Sequence, residues 1–254
     1  MLKGAQILVD AGVDVIDINM GCPSRQVTGG NSGSALMREP ELALEIIKAT
    51  LNGAQGTPVT LKTRLGWDHS LLNAPELCRA AVDLGIELVT IHGRTRCQFY
   101  KGQADWEAIR DTVKAVPVPV IANGDIGSIE DARSALEASG AFGVMVGRSA
   151  MGRPWLLNEI DAALTGRPFQ TPSLAAQLNG LCEQIEDSQA LYGASLGLRI
   201  VRKHVAAHID KLELPMSEGD RRKLRADLCR LEDSKSLMRA LREIYEAQNF
   251  KVAA

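Results

Sequence analysis

Several short apolar segments of this sequence end in side chains that could do chemistry. The first such segment, Val13 to Asn19, leads into Gly21-Cys22-Pro23 and a loop rich in Gly and Ser. A proline stops a strand, and the end of a strand followed by a flexible loop is where an α/β enzyme places reactive groups. Cys22 could be a buried structural thiol, a nucleophile or a proton donor. Nucleophilic acyl transfer needs an adjacent base, and no residue near Cys22 in the sequence offers one, so proton donation is favoured.

Lys62 and His92 end two later apolar segments. Lys62 follows Thr60 by two residues, so both side chains lie on the same face of a strand. We interpret Lys62 as a cofactor-binding lysine, with a surface lysine as the alternative. His92 is followed by Gly93 and Arg94. We expect His92 to contact a cofactor or substrate, with a buried core histidine as the alternative.

A phosphate site is predicted after the last two apolar segments. They end in Asn123-Gly124-Asp125 and in Gly147-Arg148. Backbone N–H groups of Gly-rich loops bind phosphate in barrel enzymes, and an arginine beside them adds a bidentate cation. The alternative is that these glycines only allow tight turns.

The elements that must position these residues alternate between helix and strand. Helical spacing is found over residues 2–11, 34–52, 74–84, 105–115 and 128–138, and strands over 13–19, from 58 onward, 87–92, 118–123 and 143–147. Short apolar strands between helices are typical of parallel βαβ units. A doubly wound sheet fits this alternation too. Polar residues at the end of every strand favour an α/β fold of (β/α)8 TIM-barrel type, of which about five C-terminal βα units are present.

A second domain is predicted after the strands. Residues 165–173, TGRPFQTPS, have the composition of a linker. Helical segments follow over 174–192, 195–211, 219–230 and 233–248. We therefore expect a partial barrel over 1–164 and a small all-α domain over 174–254.

Composition excludes several classes of protein. Of the 254 residues 45% are hydrophobic and 24% charged, which is ordinary for a globular protein. No apolar run approaches the roughly 20 residues that span a bilayer, and the first residues do not form a signal peptide, so we expect a cytoplasmic protein. The five cysteines are widely spaced and form neither a disulfide framework nor a metal site.

The C-terminal segment is basic and could face nucleic acid. Residues 197–254 hold 13 Lys/Arg and 9 Asp/Glu, whereas residues 1–196 hold 16 and 22. Arg199, Arg202 and Lys203 lie on one predicted helix, with Arg199 and Lys203 on the same face. Contact with a phosphate backbone is one interpretation. A solvated helix face is the other.

Together these motifs closely resemble the bacterial tRNA-dihydrouridine synthases, nearest the DusB branch. The motifs that carry the resemblance are DINMGCPS, GGNSGSALM, VTLKTRLGW, TIHGRTRCQFYKGQADW, VIANGDI, GVMVGRSAMGRPW and RIVRKH, and they extend over essentially the whole chain. The resemblance implies an FMN-containing (β/α)8 barrel with a helical tRNA-binding domain. It also implies that uridine in tRNA is reduced at C5=C6 with NADPH as the reductant. From the residues we expect no metal and no membrane, and we infer no obligate protein partner.

The resemblance also implies roles for individual residues. Cys22 matches the proton donor of the family's GCP motif, and the FMN-binding positions are matched by Lys62, His92, Asn123, Gly124, Asp125, Gly147 and Arg148. The tRNA-facing positions are matched by Arg199, Arg202 and Lys203, although Leu198 and His208 stand where aromatic residues are expected.

The chain departs from the resemblance at its beginning. The family has roughly three further βα units before the GCP strand, so we expect a truncated chain that binds little FMN when purified. The alternative function is a catalytically incompetent remnant with residual RNA binding, because a partial barrel leaves sheet edges unpaired.

Overall fold

The computed structural model describes residues 1–212 and 216–252, with side chains described through residue 246. Its sheet consists of β1 (Ile16–Asn19), β2 (Val59–Arg64), β3 (Leu88–His92), β4 (Val120–Asn123) and β5 (Gly143–Met145). The strands are all parallel and lie side by side in chain order. This confirms the α/β fold with five parallel strands. Within the described residues, β1 and β5 each pair with one strand only.

Helices connect the strands. They are α1 (Leu2–Asp10), the short α2 (Arg25–Thr28), α3 (Pro40–Ala54), α4 (Ala74–Leu84), α5 (Ile109–Ala115) and α6 (Ile129–Ser139), with a 3-10 helix at Gly33–Arg38. The expected helix over 34–52 is therefore divided. Glu39 precedes a proline and has non-helical dihedral angles, whereas Pro40 fits the first turn of α3 because its missing N–H is not needed there. The sequence predicts a loop after Cys22, and the structure has the short helix α2 within it.

The two faces of the sheet differ in what covers them. One face contributes its side chains to a core with the helices; these side chains are Ile16, Ile18, Val59, Leu61, Val89, Ile91, Val120 and Ala122. Because side chains alternate along a strand, the other face carries the polar residues, among them Asp17, Thr60, Lys62 and His92. Burial of the apolar face holds the sheet on its helices and leaves the polar face for function.

Gly53 allows α1 and α3 to approach closely. A Cβ atom at Gly53 would lie 2.3 Å from the Leu2 carbonyl oxygen and 2.9 Å from Ala5 Cβ. We expect Gly53→Ala to lower the free energy of unfolding by about 1–3 kcal/mol, because backbone atoms of α1 must move away. Urea unfolding measures this change.

Gly4, within α1, is the matched control for Gly53. A Cβ atom there would meet no heavy atom within 4 Å. Gly4→Ala should stabilise the protein by about 0.5–1 kcal/mol, since alanine loses less backbone entropy in a helix. Equal effects of the two substitutions would contradict the proposed packing of α1 on α3.

The chain divides into two compact units, residues 1–147 and the part from Arg148 onward. The second unit contains a 3-10 turn (Arg148–Ala150), α7 (Leu156–Thr165), α8 (Leu174–Tyr192), α9 (Ala194–Lys211), α10 (Glu218–Arg230) and α11 (Ser234–Val252). Its core is formed by Leu181, Ile185, Leu198, Val201, Val205, Ile209, Leu228, Leu237 and Leu241. The helical C-terminal region is as expected, except that α7 was not foreseen. The division into functional domains at residues 165–173 stays a prediction.

Candidate functional site

Polar side chains of neighbouring strands share the face of the sheet opposite the apolar core. Lys62 pairs in register with Asn19 on β1 and Thr90 on β3, and His92 pairs with Asn123 on β4. Residues that pair in a parallel sheet point to the same side. The structure therefore brings the predicted residues Lys62, His92 and Asn123 onto one surface, at the carboxyl ends of their strands. The expected common face of Thr60 and Lys62 is confirmed.

The loop after β1 fixes the position of Cys22. The Cys22 carbonyl oxygen accepts hydrogen bonds from the backbone N–H of Ser34 at 3.0 Å and from its hydroxyl at 2.8 Å. Gly33 has φ +58°, and a Cβ atom there would lie 2.8 Å from that same carbonyl oxygen. Only glycine lets the returning chain lie so close to Cys22. The thiol is half-buried, which leaves it accessible to a small substrate.

Arg64, at the end of β2, connects the Cys22 loop to the segment after β3. Its guanidinium is 1% exposed and donates from Nε to the Gly21 carbonyl at 2.7 Å, and from Nη1 to the Thr95 and Phe99 carbonyls at 2.9 Å. Burial lowers the pKa of Arg64 to about 10, and the group stays protonated at neutral pH. Arg64 is therefore a fixed positive charge beside the loop that carries Cys22.

Arg94, which is buried, forms an ion pair with the partly exposed Asp125. Its Nη1 and Nη2 donate to the two carboxylate oxygens of Asp125 at 3.0 and 2.5 Å, and Nη1 lies 3.3 Å from His92 Nε2. Asp125 also accepts the Ala104 N–H at 2.8 Å. Burial alone would raise the pKa of Asp125, but the hydrogen bonds from Arg94 and Ala104 lower it overall. The pair ties the ends of β3 and β4 together.

Gly124 provides space for the His92 ring. It has φ +118°, and a Cβ atom there would lie 2.8 Å from His92 Cδ2 and 2.8 Å from Ala104 Cβ. Its carbonyl accepts the indole N–H of Trp106 at 2.9 Å. The packing of His92 thus accounts for the need for glycine at this position. A role for Gly124 in binding a ligand stays a prediction.

Positive charge collects on this face. Burial, together with the cations Arg64, Lys62 and Arg94, lowers the pKa of His92 to about 3. Burial also lowers the pKa of Lys62, as does Arg64, while Asp17 opposes the shift. Because like charges depress both values, an anionic ligand on this face would relieve the repulsion.

We expect His92 to stay neutral when the folded protein is brought to about pH 5. An unfolded histidine has a pKa near 6.5, so between about pH 3 and 6.5 the unfolded chain binds a proton that the native protein lacks. The contribution of neutral His92 to the free energy of unfolding is full above about pH 6.5 and is lost as the pH falls toward 3. NMR titration of the imidazole C–H resonances measures the pKa of His92 in the folded protein.

His92→Gln is the variant that isolates this contribution. Unfolding free energies measured at about pH 5 and pH 7 should differ less in His92→Gln than in the wild type, because one source of proton uptake is removed. The pKa values of His204 and His208 are also lowered by burial, and they contribute equally to both proteins. A His92 midpoint near 6.5 would show that the ring is not held among these cations.

The remaining predicted ligands lie near the end of β5. Asn123 Nδ2 donates to the Met145 carbonyl at 2.8 Å, which joins β4 to β5. Gly147 is exposed and ends the first unit, and Arg148, also exposed, begins the second. Their role in binding phosphate stays a prediction.

The predicted RNA-binding residues lie on α9. Arg199 and Lys203 are exposed, whereas Arg202 is half-buried and donates to the Leu231 carbonyl at 3.0 Å. Arg199 and Arg202 line a groove of about 530 Å³ together with Lys235. Leu198 and His208, which stand where aromatic residues were expected, are both buried in the second unit. Neither side chain is exposed to stack on an RNA base.

Sequence reasoning did not select Arg64 and Arg94 as site residues. Each stands two residues after a selected residue, Lys62 or His92, so each follows on the same side of the chain. This spacing was the available signal. Their partners, the carbonyls of Gly21 and Thr95 and the carboxylate of Asp125, are distant in sequence and could not be read from it.

Two kinds of feature are absent from the described part of the chain. Over residues 1–212 and 216–252, no helix is long and apolar enough to cross a membrane. No group of three or more His, Cys, Asp or Glu side chains in those ranges could hold a metal ion.

Comparison with known proteins identifies relatives along nearly the whole chain. A probable tRNA-dihydrouridine synthase of Rhodobacter capsulatus is 47% identical over 246 residues, which cover 96% of this chain and 73% of that protein. The tRNA-dihydrouridine synthase B of Pseudomonas aeruginosa is 39% identical over 98% of this chain and 74% of its own length. A relative from Rickettsia conorii is 49% identical, and the match spans 61% of its length.

A solved structure and a family match complete the comparison. The BexX/CysO complex of Amycolatopsis orientalis aligns with a TM-score of 0.41 and 17% identity, covering 68% of this chain and 66% of that one. The Dihydrouridine synthase (Dus) family matches residues 1–249. With that match and relatives 39–49% identical, the chain belongs to the dihydrouridine synthase family.

Proposed function

We propose that this chain carries the catalytic face of a tRNA-dihydrouridine synthase, an FMN-dependent oxidoreductase that reduces the C5=C6 bond of uridine in tRNA with NADPH. The observation that supports this most is the arrangement of Cys22, Lys62 and His92 at the carboxyl ends of adjacent parallel strands. Functional groups gather at that end of the strands in barrel enzymes. The printed names of the relatives agree with the activity.

The residues fit an anionic cofactor such as FMN. Cations lower the pKa values of both Lys62 and His92, so this face has more positive charge than its carboxylates balance. Lys62 would neutralise the negative charge of the reduced ring. His92, uncharged at neutral pH, would contact it by a hydrogen bond. The proposed ligands of the FMN phosphate and ribityl chain are Asn123, Gly124, Asp125, Gly147 and Arg148.

Cys22 is the proposed general acid. When bound, reduced FMN supplies the hydride that reaches uracil C6, and NADPH restores the reduced form. The Cys22 thiol gives its proton to C5, so that one hydride and one proton together saturate the double bond. The thiolate that remains interacts electrostatically with Arg64, whose fixed charge stabilises it until solvent returns a proton.

The proposed substrate is a uridine turned out of the folded tRNA. A base stacked inside folded RNA cannot reach the Cys22 thiol, so the nucleotide must be turned out of the stack toward the polar face of the sheet. Arg199, Arg202 and Lys203 on α9 are the proposed contacts with the tRNA backbone elsewhere.

A reduction assay tests the proposal. Unmodified tRNA is incubated with the protein, FMN and NADPH, and mass spectrometry of the nucleosides detects the gain of two hydrogen atoms. We expect dihydrouridine in the tRNA and none when NADPH is omitted. Binding of tRNA without any dihydrouridine would instead support the non-catalytic remnant.

A further inference from the structure

Two arginines gather around one tryptophan next to the Cys22 loop. The guanidinium carbon of Arg38 lies 3.7 Å from the ring centroid of Trp67, and that of Arg96 lies 4.5 Å from the same centroid. Arg96 also lies 5.0 Å from the ring of Phe99. Arg38 is exposed, and the other three residues are half-buried. We call these four residues the arginine–tryptophan cluster.

The positive charges of this cluster are not balanced. Within the described residues, neither Arg38 nor Arg96 forms an ion pair. Arg96 donates from Nη2 to Thr28 Oγ1 at 3.2 Å, while its buried Nε has no hydrogen-bond partner there. A guanidinium held in place with an unpaired N–H costs free energy, and a second guanidinium nearby adds repulsion. An anion bound at the exposed Arg38 would relieve the repulsion between the two guanidinium groups.

The cluster lies at the same end of the strands as Cys22. Trp67 follows β2 and Arg96 follows β3, and their loops are joined by hydrogen bonds from Arg96 N to Gly66 O and from Cys97 N to Trp67 O, both at 2.9 Å. Thr28, the hydrogen-bond partner of Arg96, belongs to α2 in the segment between Cys22 and Ser34. A strand whose base reaches Cys22 would therefore pass close to the cluster.

We propose that the arginine–tryptophan cluster binds a phosphodiester of the tRNA strand beside the uridine presented to Cys22. This inference rests on the proposed function. Arginine forks match phosphate oxygens, and arginine planes and aromatic rings stack on unpaired bases, which is the chemistry of single-stranded RNA recognition. Arg38 provides the exposed contact, and Trp67 and Arg96 hold it in place.

Salt-dependent binding of an unmodified tRNA tests this. Arg38→Gln should raise the Kd by about tenfold, through the loss of one charge-assisted contact. It should also reduce the slope of log K against log salt by about 0.7–0.9, the value of one phosphate. Arg38→Lys keeps the charge, so it should keep the slope while binding more weakly than the wild type, because lysine cannot form the planar fork.

Arg133, an exposed arginine of α6, provides the matched control. Arg133→Gln removes the same charge elsewhere in the first unit and should leave the Kd and the slope unchanged. If Arg38→Gln binds tRNA with the Kd and slope of Arg133→Gln, the cluster does not contact the RNA and the inference is overturned.

Trp67→Phe provides a second readout. It keeps a ring beneath the arginines but removes one of the three tryptophans, so the change in tryptophan emission on adding tRNA should be smaller than in the wild type. An emission change equal to that of the wild type would overturn the inference as well. If the wild type binds tRNA and the Arg38 and Trp67 variants behave like the wild type, the proposed function stands without this contact. If the wild type binds no tRNA at all, both fall.

Discussion

Cys22→Ala is expected to lower the rate of dihydrouridine formation by about 10²–10⁴-fold, the usual contribution of a positioned general acid. Alanine removes the thiol proton that we propose C5 of the uracil receives. The neighbours of Cys22, Gly21 and Pro23, have no titratable side chain that could replace it. The proposed flavin and tRNA contacts lie on other residues, so we expect the affinities for FMN and tRNA not to change. Single-turnover assays with saturating tRNA measure the rate directly.

Cys97→Ala is the matched control for Cys22→Ala. Cys97 is an exposed free cysteine of the same unit, in the loop after β3. Its replacement should leave the rate close to that of the wild type. Unchanged turnover in Cys22→Ala would show that another group donates the proton, whereas equal losses in both variants would point to general damage to the fold.

Arg94→Met is expected to lower the free energy of unfolding by about 1–3 kcal/mol, because it removes a buried guanidinium that donates hydrogen bonds to the partly exposed Asp125 and to two backbone carbonyls. The Arg94 side chain is 2% exposed. Besides Asp125 it donates to the Gly102 carbonyl at 2.7 Å and to the Lys101 carbonyl at 3.3 Å. Methionine fills similar volume but leaves these acceptors unpaired. Urea unfolding at neutral pH measures the loss.

Arg133→Met, at the exposed site on α6, should change stability by less than about 0.5 kcal/mol. Asp125→Asn gives a second test from the opposite side of the pair, because it leaves the Arg94 guanidinium buried without its carboxylate. A stability loss in Arg94→Met no larger than that in Arg133→Met would show that the ion pair does not hold β3 to β4.

Local signals in the sequence were enough to predict most of the elements. The helix α4 lies where it was expected, because Pro75 fits its first turn and Gly85 ends it. The strand β3 was expected from its apolar run and begins one residue later than predicted. The parallel sheet followed from the alternation of such elements, and it is confirmed. The family resemblance is confirmed as well.

Contacts between distant residues were not predictable from the sequence. Arg94 and Asp125 are 31 positions apart, and Arg64 and the Gly21 carbonyl are 43 apart. Such pairs depend on how strands come into register, which the pattern of apolar residues does not specify for polar side chains. The candidate residues on the polar face of the sheet were found because they lie at the ends of strands. The charges that surround them became visible only in three dimensions.

We propose that the polar face of the sheet, around Lys62 and His92, holds the flavin. We expect weak retention of FMN by the purified chain, so the test adds FMN stepwise and follows the histidine side chains by NMR. We expect saturable shifts of the His92 resonances, with no shifts at the buried His208 of the second unit. Lys62→Met should raise the FMN concentration needed for half-saturation. Binding of FMN that leaves the His92 resonances unchanged would show that the flavin binds elsewhere.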